Sequence, residues 1–492
     1  IWLKLKNRQR NKDVFSVENQ FAIEHDHVDA NFRSLYSGLF SLLTCEKSRR
    51  ELLLCQREPA LGEMYLLVGP PGTGKTSVAL KRMVEEELAL GHDILLLSYT
   101  NRAVDEICEM LSSIHPCPDY IRLGRELSCA IIHRGHLFSN ALGKLHSRQE
   151  VIKKVEETHV FVSTVASMNS HMALLKLKHF HMAIFDEASQ ILEPQVLGIL
   201  TSPAIERFVM IGDHKQLPAV VVQDESKSAV TSPLLHSIGL TDCRNSLFER
   251  LYEKNRHRDD IVSTLHRQGR MHPAIADFAS FSFYDDMLQP VGLPHQLENL
   301  QFALYDHSNP VETLVATRRC AFINVPRPSA EERMPKANML EARMIAQLVK
   351  ALVCVHRRNQ LPFDFVRQLG IIVPFRRQIA IVRSEISKVL DDMPLDEDEK
   401  ITAVSQLAID TVERYQGSQR DIIIYGTTIT QHYELEILSN LTTISSAVID
   451  RKLNVAVTRA RKQFFVLGNE RLLRLNPIYE SLIDYCTNVP SR

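Results

Sequence analysis

The stretch Gly69-Pro70-Pro71-Gly72-Thr73-Gly74-Lys75-Thr76 decides the fold of this chain. It follows the apolar run 65–68 and precedes a helical pattern that starts near Ser77. This strand–loop–helix order is the context in which G-x-x-x-x-G-K-[ST] forms a phosphate-binding loop, because glycines let backbone N–H groups close around phosphate oxygens at a helix N-terminus. We therefore expect 69–77 to bind a nucleoside triphosphate. The Lys75 ammonium would face the outer phosphates, and the Thr76 hydroxyl would ligate magnesium.

Short apolar strands alternate with helical patterns on both sides of a polar stretch at 253–258. This rhythm is typical of α/β domains with parallel sheets flanked by helices. We predict a helical lead-in over 1–60, a first domain over 61–255 with an insertion near 112–157, and a second domain over 256–492. The basic residues between 4 and 12 in the lead-in are either a solvated helix face or a nucleic-acid contact. The predicted strands are 65–68, 94–97, 160–162, 183–185, 208–211, 321–325, 371–373, 421–425 and 464–467.

Composition excludes several classes of protein. The 492 residues are 45% hydrophobic, so the chain is neither disordered nor collagenous. Lys and Arg (58) nearly balance Asp and Glu (59), so any nucleic-acid site must be a local groove. Nine scattered cysteines without a C-x-x-C pair favour a reducing, intracellular compartment, either cytoplasm or nucleoid or nucleus. Because no apolar run has the length of a bilayer span, we expect no membrane partner.

Two further segments carry candidate catalytic groups. Asp186 and Glu187 end the predicted strand 183–185, where one carboxylate can join the magnesium shell and the other can polarise a water. We assign Asp186 to magnesium and Glu187 to the water. In the segment 212–218, the Gln216 amide is placed to sense the γ-phosphate.

These segments, together with 267–273, 415–417 and 454–461, resemble superfamily 1 helicases of the up-frameshift branch, which are 5′-to-3′ DNA or RNA helicases with AAA/P-loop domains. The resemblance spans about 64–470, with the motifs in the family's order. It implies two tandem RecA-like P-loop NTPase domains that clamp ATP and Mg²⁺. Arg270 and Arg459 would contact the γ-phosphate, with Arg461 the weaker candidate. Gln416 and Gly417 would belong to the nucleotide site.

The resemblance also implies contacts to a single strand of nucleic acid. The candidates are polar or basic side chains just after predicted strands, where hydroxyls and amides hold a phosphate backbone without reading bases. Such binding is largely independent of sequence and sensitive to salt. The alternative interpretation is that these groups are ordinary helix N-caps and loop polars. The predicted contacts are Thr100, Asn101, Thr164, Pro374 and Arg377.

Two positions depart from the family pattern. Gly269 stands where relatives usually place an adenine-stacking tyrosine, and Gln419 replaces an acid near the ribose. The phosphate-side residues are intact, so we expect hydrolysis without strict adenine selectivity.

We therefore predict an ATP-dependent, magnesium-using helicase that acts as a monomer on single-stranded DNA or RNA. It would unwind duplexes or displace bound protein, and protein partners are left open. The alternative is an ATP-switched clamp on nucleic acid or protein that does not unwind processively. A small-molecule kinase or transport ATPase would not explain two RecA-like halves with arginines in both.

Overall fold

The computed structural model describes residues 4–5, 23–24, 28–143, 145, 147–219, 221, 225–300, 302–444 and 447–488. The chain forms two compact units. The first unit comprises Ile1–Leu66, Lys81–Ile211 and Ala219–Val262, and the second comprises Leu67–Leu80, Gly212–Pro218 and Ser263–Arg492. The predicted domain boundaries at residues 60 and 255 stay a prediction. The two compact units are divided differently along the chain, since the segments 67–80 and 212–218 belong to the second unit.

A seven-stranded sheet contains the five predicted strands of the N-terminal half. Its strand order is β3-β4-β2-β5-β6-β1-β7. The strands from β3 to β6 in this order are paired in parallel. The edge strand β3 lies within the predicted insertion 112–157. The strands are β1 (Met64–Val68), β2 (Ile94–Ser98), β3 (Tyr120–Leu123), β4 (Val160–Thr164), β5 (Phe180–Asp186), β6 (Ile205–Gly212) and β7 (Val262–Thr264).

The second sheet is five-stranded, parallel and buried on both faces. Its strands are β8 (Cys320–Asn324), β9 (Leu369–Ile372), β10 (Ala408–Asp410), β11 (Arg420–Gly426) and β12 (Ala460–Gly468), in the order β8-β12-β11-β9-β10. Successive residues of a strand point to opposite faces. Accordingly, Ile423 and Phe464 join one hydrophobic core, and their neighbours Ile424 and Phe465 join the other. The continuous apolar runs in the sequence reflect this two-sided burial.

Helices flank both sheets and confirm the predicted α/β class. Those of the first unit are Val28–Thr44, Lys47–Leu53, Lys81–Ala89, Asn101–Ser112, Phe138–Leu142, Arg148–Glu157, Val165–Ser170, Glu193–Leu200, Glu225–Ser228, Pro233–Ser237 and Leu247–Asn255. Those of the second unit are Pro273–Phe283, Pro294–Leu297, Pro310–Thr317, Met339–Arg358, Arg376–Asp391, Glu397–Gln406, Val412–Tyr415, Glu434–Leu438, Arg451–Val457, Glu470–Leu473 and Pro477–Asn488. Across the described ranges, none of the helices combines the length and apolar composition of a membrane span.

Single-turn helices and three small strand pairs complete the two units. The turns are the π-helix Lys75–Leu80 and the 3-10 helices Glu126–Ser128, Ile131–His136, Met172–Lys176 and Ala188–Gln190. The strand pairs are Lys4–Leu5 with Ile23–Glu24, Arg267–Gln268 with Gln289–Pro290, and Leu441–Ile444 with Ala447–Asp450.

The lead-in is helical over Val28–Thr44 and Lys47–Leu53, although the antiparallel pair at Lys4–Leu5 shows that it is not helical throughout. Residues 6–22, with most of the basic stretch, lie outside the described residues. Helix Val28–Thr44 packs on helix Glu193–Leu200 through two glycines. A side-chain carbon at Gly38 would lie 2.9 Å from the backbone nitrogen of Gly198, so the two backbones are in direct contact.

Candidate nucleotide and nucleic-acid sites

The phosphate loop directly follows strand β1 and has the backbone that its sequence predicts. Gly72 and Gly74 have φ angles of 76° and 77°, in the left-handed region that glycine adopts without strain. A side-chain carbon at Gly69 would collide with the Lys75 side chain, whose stem lies across that glycine. The helical turn Lys75–Leu80 begins at once. The loop therefore presents an open backbone cradle with the lysine folded along it.

The other predicted members of this loop either make hydrogen bonds within it or lie in the helical turn that follows it. Thr73 donates its hydroxyl hydrogen to the Pro70 carbonyl at 2.7 Å, and Pro71 is buried. Thr76 is half-buried and Ser77 is exposed in the first helical turn. Small hydroxyl side chains at a helix N-terminus suit an anion or its metal ion.

Arg270 lies directly against this loop within the second unit. The Gly269 N–H donates to the Gly72 carbonyl at 2.8 Å, and a side-chain carbon on Gly72 would collide with Arg270. The Gln268 amide oxygen accepts the Arg270 N–H at 3.0 Å, while an Arg270 guanidinium nitrogen donates to the Thr458 carbonyl at 3.2 Å. Backbone hydrogen bonds of Gly269 and Arg270 thus hold this arginine beside the cradle.

Gln216 and Arg459 are hydrogen-bonded to each other, although they are 243 residues apart in the chain. Arg459 is only 2% exposed, and its Nη2 donates to the Gln216 Oε1 at 3.1 Å. The Gln216 Nε2 donates in turn to the Asp213 carboxylate at 2.7 Å. Two residues that the sequence assigns to γ-phosphate chemistry therefore form one buried network. A substitution at either position will therefore remove a hydrogen bond of the other residue.

Tyr284 completes this network, and sequence reasoning missed it. Its hydroxyl donates to Asp213 at 2.7 Å and accepts from the Asn454 amide at 2.8 Å. The same amide donates to the Lys215 carbonyl at 2.7 Å. Burial raises the pKa of the Tyr284 phenol well above its usual value, and the Asp213 charge adds to this. Asp213 and Asn454 lie inside the quoted motifs, whereas nothing in the sequence around Tyr284 marks it.

Asp186 and Glu187 end strand β5 in the first unit, as predicted. Asp186 is 2% exposed, and its backbone carbonyl accepts from the Ser98 hydroxyl of the neighbouring strand at 3.1 Å. Glu187 has a φ of 54°, which is rare for a residue other than glycine. Its carboxylate accepts from the Gln190 amide at 2.9 Å. A strained acid held at the carboxyl end of a parallel strand is common at functional sites.

The residues present fit a magnesium–triphosphate group. Thr76 and Asp186 offer a hydroxyl and a carboxylate oxygen, the ligand type that Mg²⁺ prefers. The cradle around Gly72 and Gly74 suits phosphate oxygens. The structure describes the phosphate loop and Asp186 in separate units, so their joint role stays a prediction.

A leucine lies beside the position where relatives carry the adenine-stacking ring. A side-chain carbon at Gly269 would lie 3.0 Å from the Leu293 Cδ1, so an aliphatic group occupies this side of the site. Gln416 donates its amide to the Leu217 carbonyl at 3.5 Å, and Gly417 has a φ of 79°. Their contact to a nucleotide stays a prediction.

Two of the predicted nucleic-acid contacts are helix N-caps. The Thr100 hydroxyl accepts the Ala103 N–H at 3.1 Å, and the Thr164 hydroxyl accepts the Ser167 N–H at 3.1 Å. Both follow parallel neighbouring strands, β2 and β4, so they lie at the same edge of the sheet. Asn101 is exposed in the first turn after Thr100. Both hydroxyls therefore act as helix N-caps, as the alternative interpretation has it. Their contact to a strand of nucleic acid stays a prediction.

Pro374 and Arg377 occupy the equivalent place in the second unit, after strand β9. Arg377 is exposed and donates weakly to the Pro335 carbonyl at 3.4 Å. Its neighbour Gln378 is buried and donates to the Asn338 carbonyl at 2.9 Å, which makes Gln378 a structural residue. Arg377 is thus an exposed cation of this segment.

Comparison with known proteins agrees with this arrangement. Two AAA domain family models match the chain, one over residues 46–134 and 139–224 and the other over 243–471. The DNA replication ATP-dependent helicase/nuclease JHS1 of Arabidopsis thaliana is 29% identical over 425 residues, in a match that covers 85% of this chain and 28% of that protein. The DNA replication ATP-dependent helicase/nuclease DNA2 of Mus musculus is 29% identical over 451 residues, covering 85% of this chain and 37% of that protein. The DNA-binding protein SMUBP-2 of Mesocricetus auratus is 25% identical over 479 residues, covering 86% and 43%.

The fold and the phosphate loop define an α/β P-loop NTPase with two sheets. The matched domains and relatives cover most of the chain, and the motifs lie where the sequence predicts. The chain belongs to the superfamily 1 helicases of the up-frameshift branch. It spans between about a quarter and less than half of the length of these curated relatives.

Proposed function

We propose that this chain is the motor core of an ATP-dependent helicase that steps 5′-to-3′ along a single strand of nucleic acid. It would unwind duplexes or displace bound protein, with Mg²⁺ as the metal and an intracellular site of action. The observation that carries the proposal is the buried pair of Gln216 and Arg459, joined to Asp213 and Tyr284 within the second unit. Such a network can relay the state of a γ-phosphate to the rest of the fold.

The residues have distinct tasks in hydrolysis. The cradle at 69–77 binds the phosphates, and Lys75 neutralises charge on them. Glu187 accepts a proton from the water that attacks the γ-phosphorus, as the bond from that phosphorus to the bridging oxygen breaks. The always-charged, planar guanidinium groups of Arg270 and Arg459 stabilise the charge that develops on the phosphoryl oxygens. Thr76 and Asp186 would hold a magnesium ion, which would supply further charge neutralisation at the phosphates.

The sharpest test removes the two groups that do the chemistry. Lys75→Ala and Glu187→Ala should each abolish ATP turnover, while the control Lys81→Ala, six residues further along the chain, should leave it near the wild-type value. Steady-state phosphate release measures the effect. Normal turnover in either Lys75→Ala or Glu187→Ala would refute the site.

A strand-displacement assay separates the helicase from the clamp. The helicase should release a labelled strand from a duplex with a 5′ single-stranded tail, and it should fail on a 3′-tailed duplex. ATP-dependent retention on the strand without release would indicate the clamp. Leu293 beside Gly269 is compatible with either outcome, because it bears on base choice rather than on stepping.

A further inference from the structure

Three potential metal ligands converge in the first unit. They are Glu87 from the end of helix Lys81–Ala89, His92 from the turn before β2, and His181 from the start of β5. One ligand atom from each lies within 4.8 Å of the others. Glu87 is buried, and the two histidines are half-buried with their rings 3.9 Å apart.

The distances between these atoms are close to the spacing of a tetrahedral zinc site, and all of them are within 4.8 Å. The Glu87 Oε2 lies 2.8 Å from the His92 Nδ1 and 3.7 Å from the His181 Nε2. Ligands about 2.1 Å from a zinc ion at tetrahedral angles are about 3.4 Å apart. The two observed distances lie on either side of that value, and the shorter one is a hydrogen bond that a bound metal would replace.

A second carboxylate prepares His181 for this task. The His181 Nδ1 lies 2.8 Å from the Glu206 carboxylate, which favours the tautomer with the proton on Nδ1 and leaves the Nε2 lone pair toward Glu87. Carboxylates that accept a proton from the far nitrogen of a ligating histidine are a regular part of zinc sites. His92 would carry its own proton on Nε2 to offer its Nδ1.

One neighbouring cation, Arg207, competes with a metal ion for the Glu87 carboxylate, but at its other oxygen. Arg207 lies 3.8 Å from the other Glu87 oxygen, Oε1, so it does not occupy the oxygen that faces the histidines. It would balance the Glu87 charge while the site is empty and would tolerate a metal at Oε2.

We propose that Glu87, His92 and His181 bind a divalent transition metal, of which zinc suits the two imidazoles and one carboxylate best, with water in the fourth position. The metal would tie the end of one helix to the starts of two strands. The metal would lie apart from the predicted nucleotide chemistry, because His181 and Asp186 lie at opposite ends of β5, about 17 Å apart at 3.3 Å per residue. The site is therefore independent of the proposed function.

Zinc binding by the metal-stripped full chain tests this assignment. A chromophoric chelator in competition should report one tight site per chain, and Co²⁺ in place of Zn²⁺ should give the strong visible absorption of tetrahedral coordination. His181→Gln and His92→Gln should each weaken binding at least about tenfold, since losing even an outer partner of a ligand typically costs that much. Glu206→Gln, which changes only the positioning partner, should have a smaller effect of the same sign.

The matched control is His171→Gln, which removes a half-buried histidine of the same unit outside the cluster. Its zinc affinity should equal that of the wild type. The unfolding temperature of each variant without metal shows whether it is folded. A wild-type chain without the tight site, or folded His181→Gln and His92→Gln variants that bind zinc as the wild type does, would overturn the proposal.

Discussion

Arg459 shows at the residue scale why a lysine cannot replace an arginine here. Its guanidinium donates to the Val455 carbonyl at 3.1 Å, to the Ser418 carbonyl at 3.3 Å and to the Gln216 amide oxygen at 3.1 Å. These acceptors lie in different directions, and only a planar fork of donors reaches all of them at once. The surrounding chain therefore fixes the direction in which the cation points.

Arg459→Lys should lower kcat for ATP by at least about a hundredfold, because arginines that stabilise a transferring phosphoryl group contribute this much or more. The KM for ATP should change much less, since the effect falls on the transition state. Steady-state kinetics at saturating ATP measures the loss.

Arg461→Lys provides the control, two residues along the chain. Arg461 is half-buried and pairs with Asp421 at 3.0 Å rather than with Gln216. It should keep near-normal kcat. If Arg461→Lys were the more damaging change, the assignment of Arg459 would be wrong.

Glu341 is a buried carboxyl group that the sequence did not mark. It accepts hydrogen bonds from the Thr428 N–H at 2.7 Å and hydroxyl at 2.9 Å, and from the Gln378 amide at 3.3 Å. Burial raises the pKa of this carboxyl to about 7, although these hydrogen bonds oppose the rise. Gly426 leaves the room for it, because a side-chain carbon there would lie 2.7 Å from the Glu341 Oε1.

This pKa gives the second unit a defined pH dependence. The folded-state pKa of Glu341 is above its ordinary value of 4.5, so its contribution to stability is complete below pH 4.5 and is lost as the pH rises to about 7. The total loss is about 3 kcal/mol at most. Glu341→Gln should remove it, so that the unfolding temperature of this variant relative to wild type rises between pH 5 and pH 8.

The exposed Glu397→Gln change is the control for removing one carboxylate, and its difference from wild type should be the same at both pH values. A Glu341→Gln variant with a difference from wild type that is also independent of pH would contradict the pKa assigned to Glu341.

At the scale of elements, the apolar runs predicted nine strands, and all nine are present in the two sheets. The strands that were missed, β3, β7 and β10, have three or four residues each and lie at sheet edges. In β7 and β10 two of the three residues are only half-buried, so their sequences lack a continuous apolar run. In β3 the buried Arg122 interrupts the pattern, and it is held by an ion pair with Asp105.

The contact between the lead-in helix Val28–Thr44 and the domain helix Glu193–Leu200 depends on glycine. Gly38→Val should push helix Val28–Thr44 away from helix Glu193–Leu200, because the backbone at Gly198 cannot move aside as a side chain can. Overpacking of this kind costs about 1–3 kcal/mol. Limited proteolysis should then cut within 28–44 faster than in the wild type.

Ser37→Val is the control, because it introduces a valine at an exposed neighbouring position of that helix. Its cleavage rate should stay at the wild-type value. Equal protection of Gly38→Val and the wild type would show that the glycine contact does not hold the helix.

At the scale of the whole molecule, sequence motifs predicted the local parts of the site better than their connections. Asp186 and Glu187 lie at the end of strand β5 and Lys75 lies in the phosphate loop, because motifs encode local backbone geometry. The link from Gln216 to Arg459 joins residues far apart in the chain, and Tyr284 joins them without any motif of its own. Spacing along a sequence carries no information on such long-range packing.

The assignment of two threonines also depended on the fold. Thr100 and Thr164 each have a hydroxyl after a strand, which suits a nucleic-acid contact and an N-cap equally well in sequence. Only the structure shows that both hydroxyls accept a backbone N–H. Arg377, exposed at the matching place in the second unit, is therefore the better target for testing strand binding.

The central claim is that nucleotide hydrolysis is coupled to a single strand of nucleic acid. Its most direct test is steady-state hydrolysis of ATP and of GTP by the purified chain, alone and with single-stranded DNA or single-stranded RNA at matched low salt, with Lys75→Ala as the inactive control. We predict strong stimulation by at least one polymer and similar rates with the two nucleotides, because Leu293 rather than an aromatic ring lies beside Gly269. Hydrolysis that neither polymer stimulates would contradict the claim.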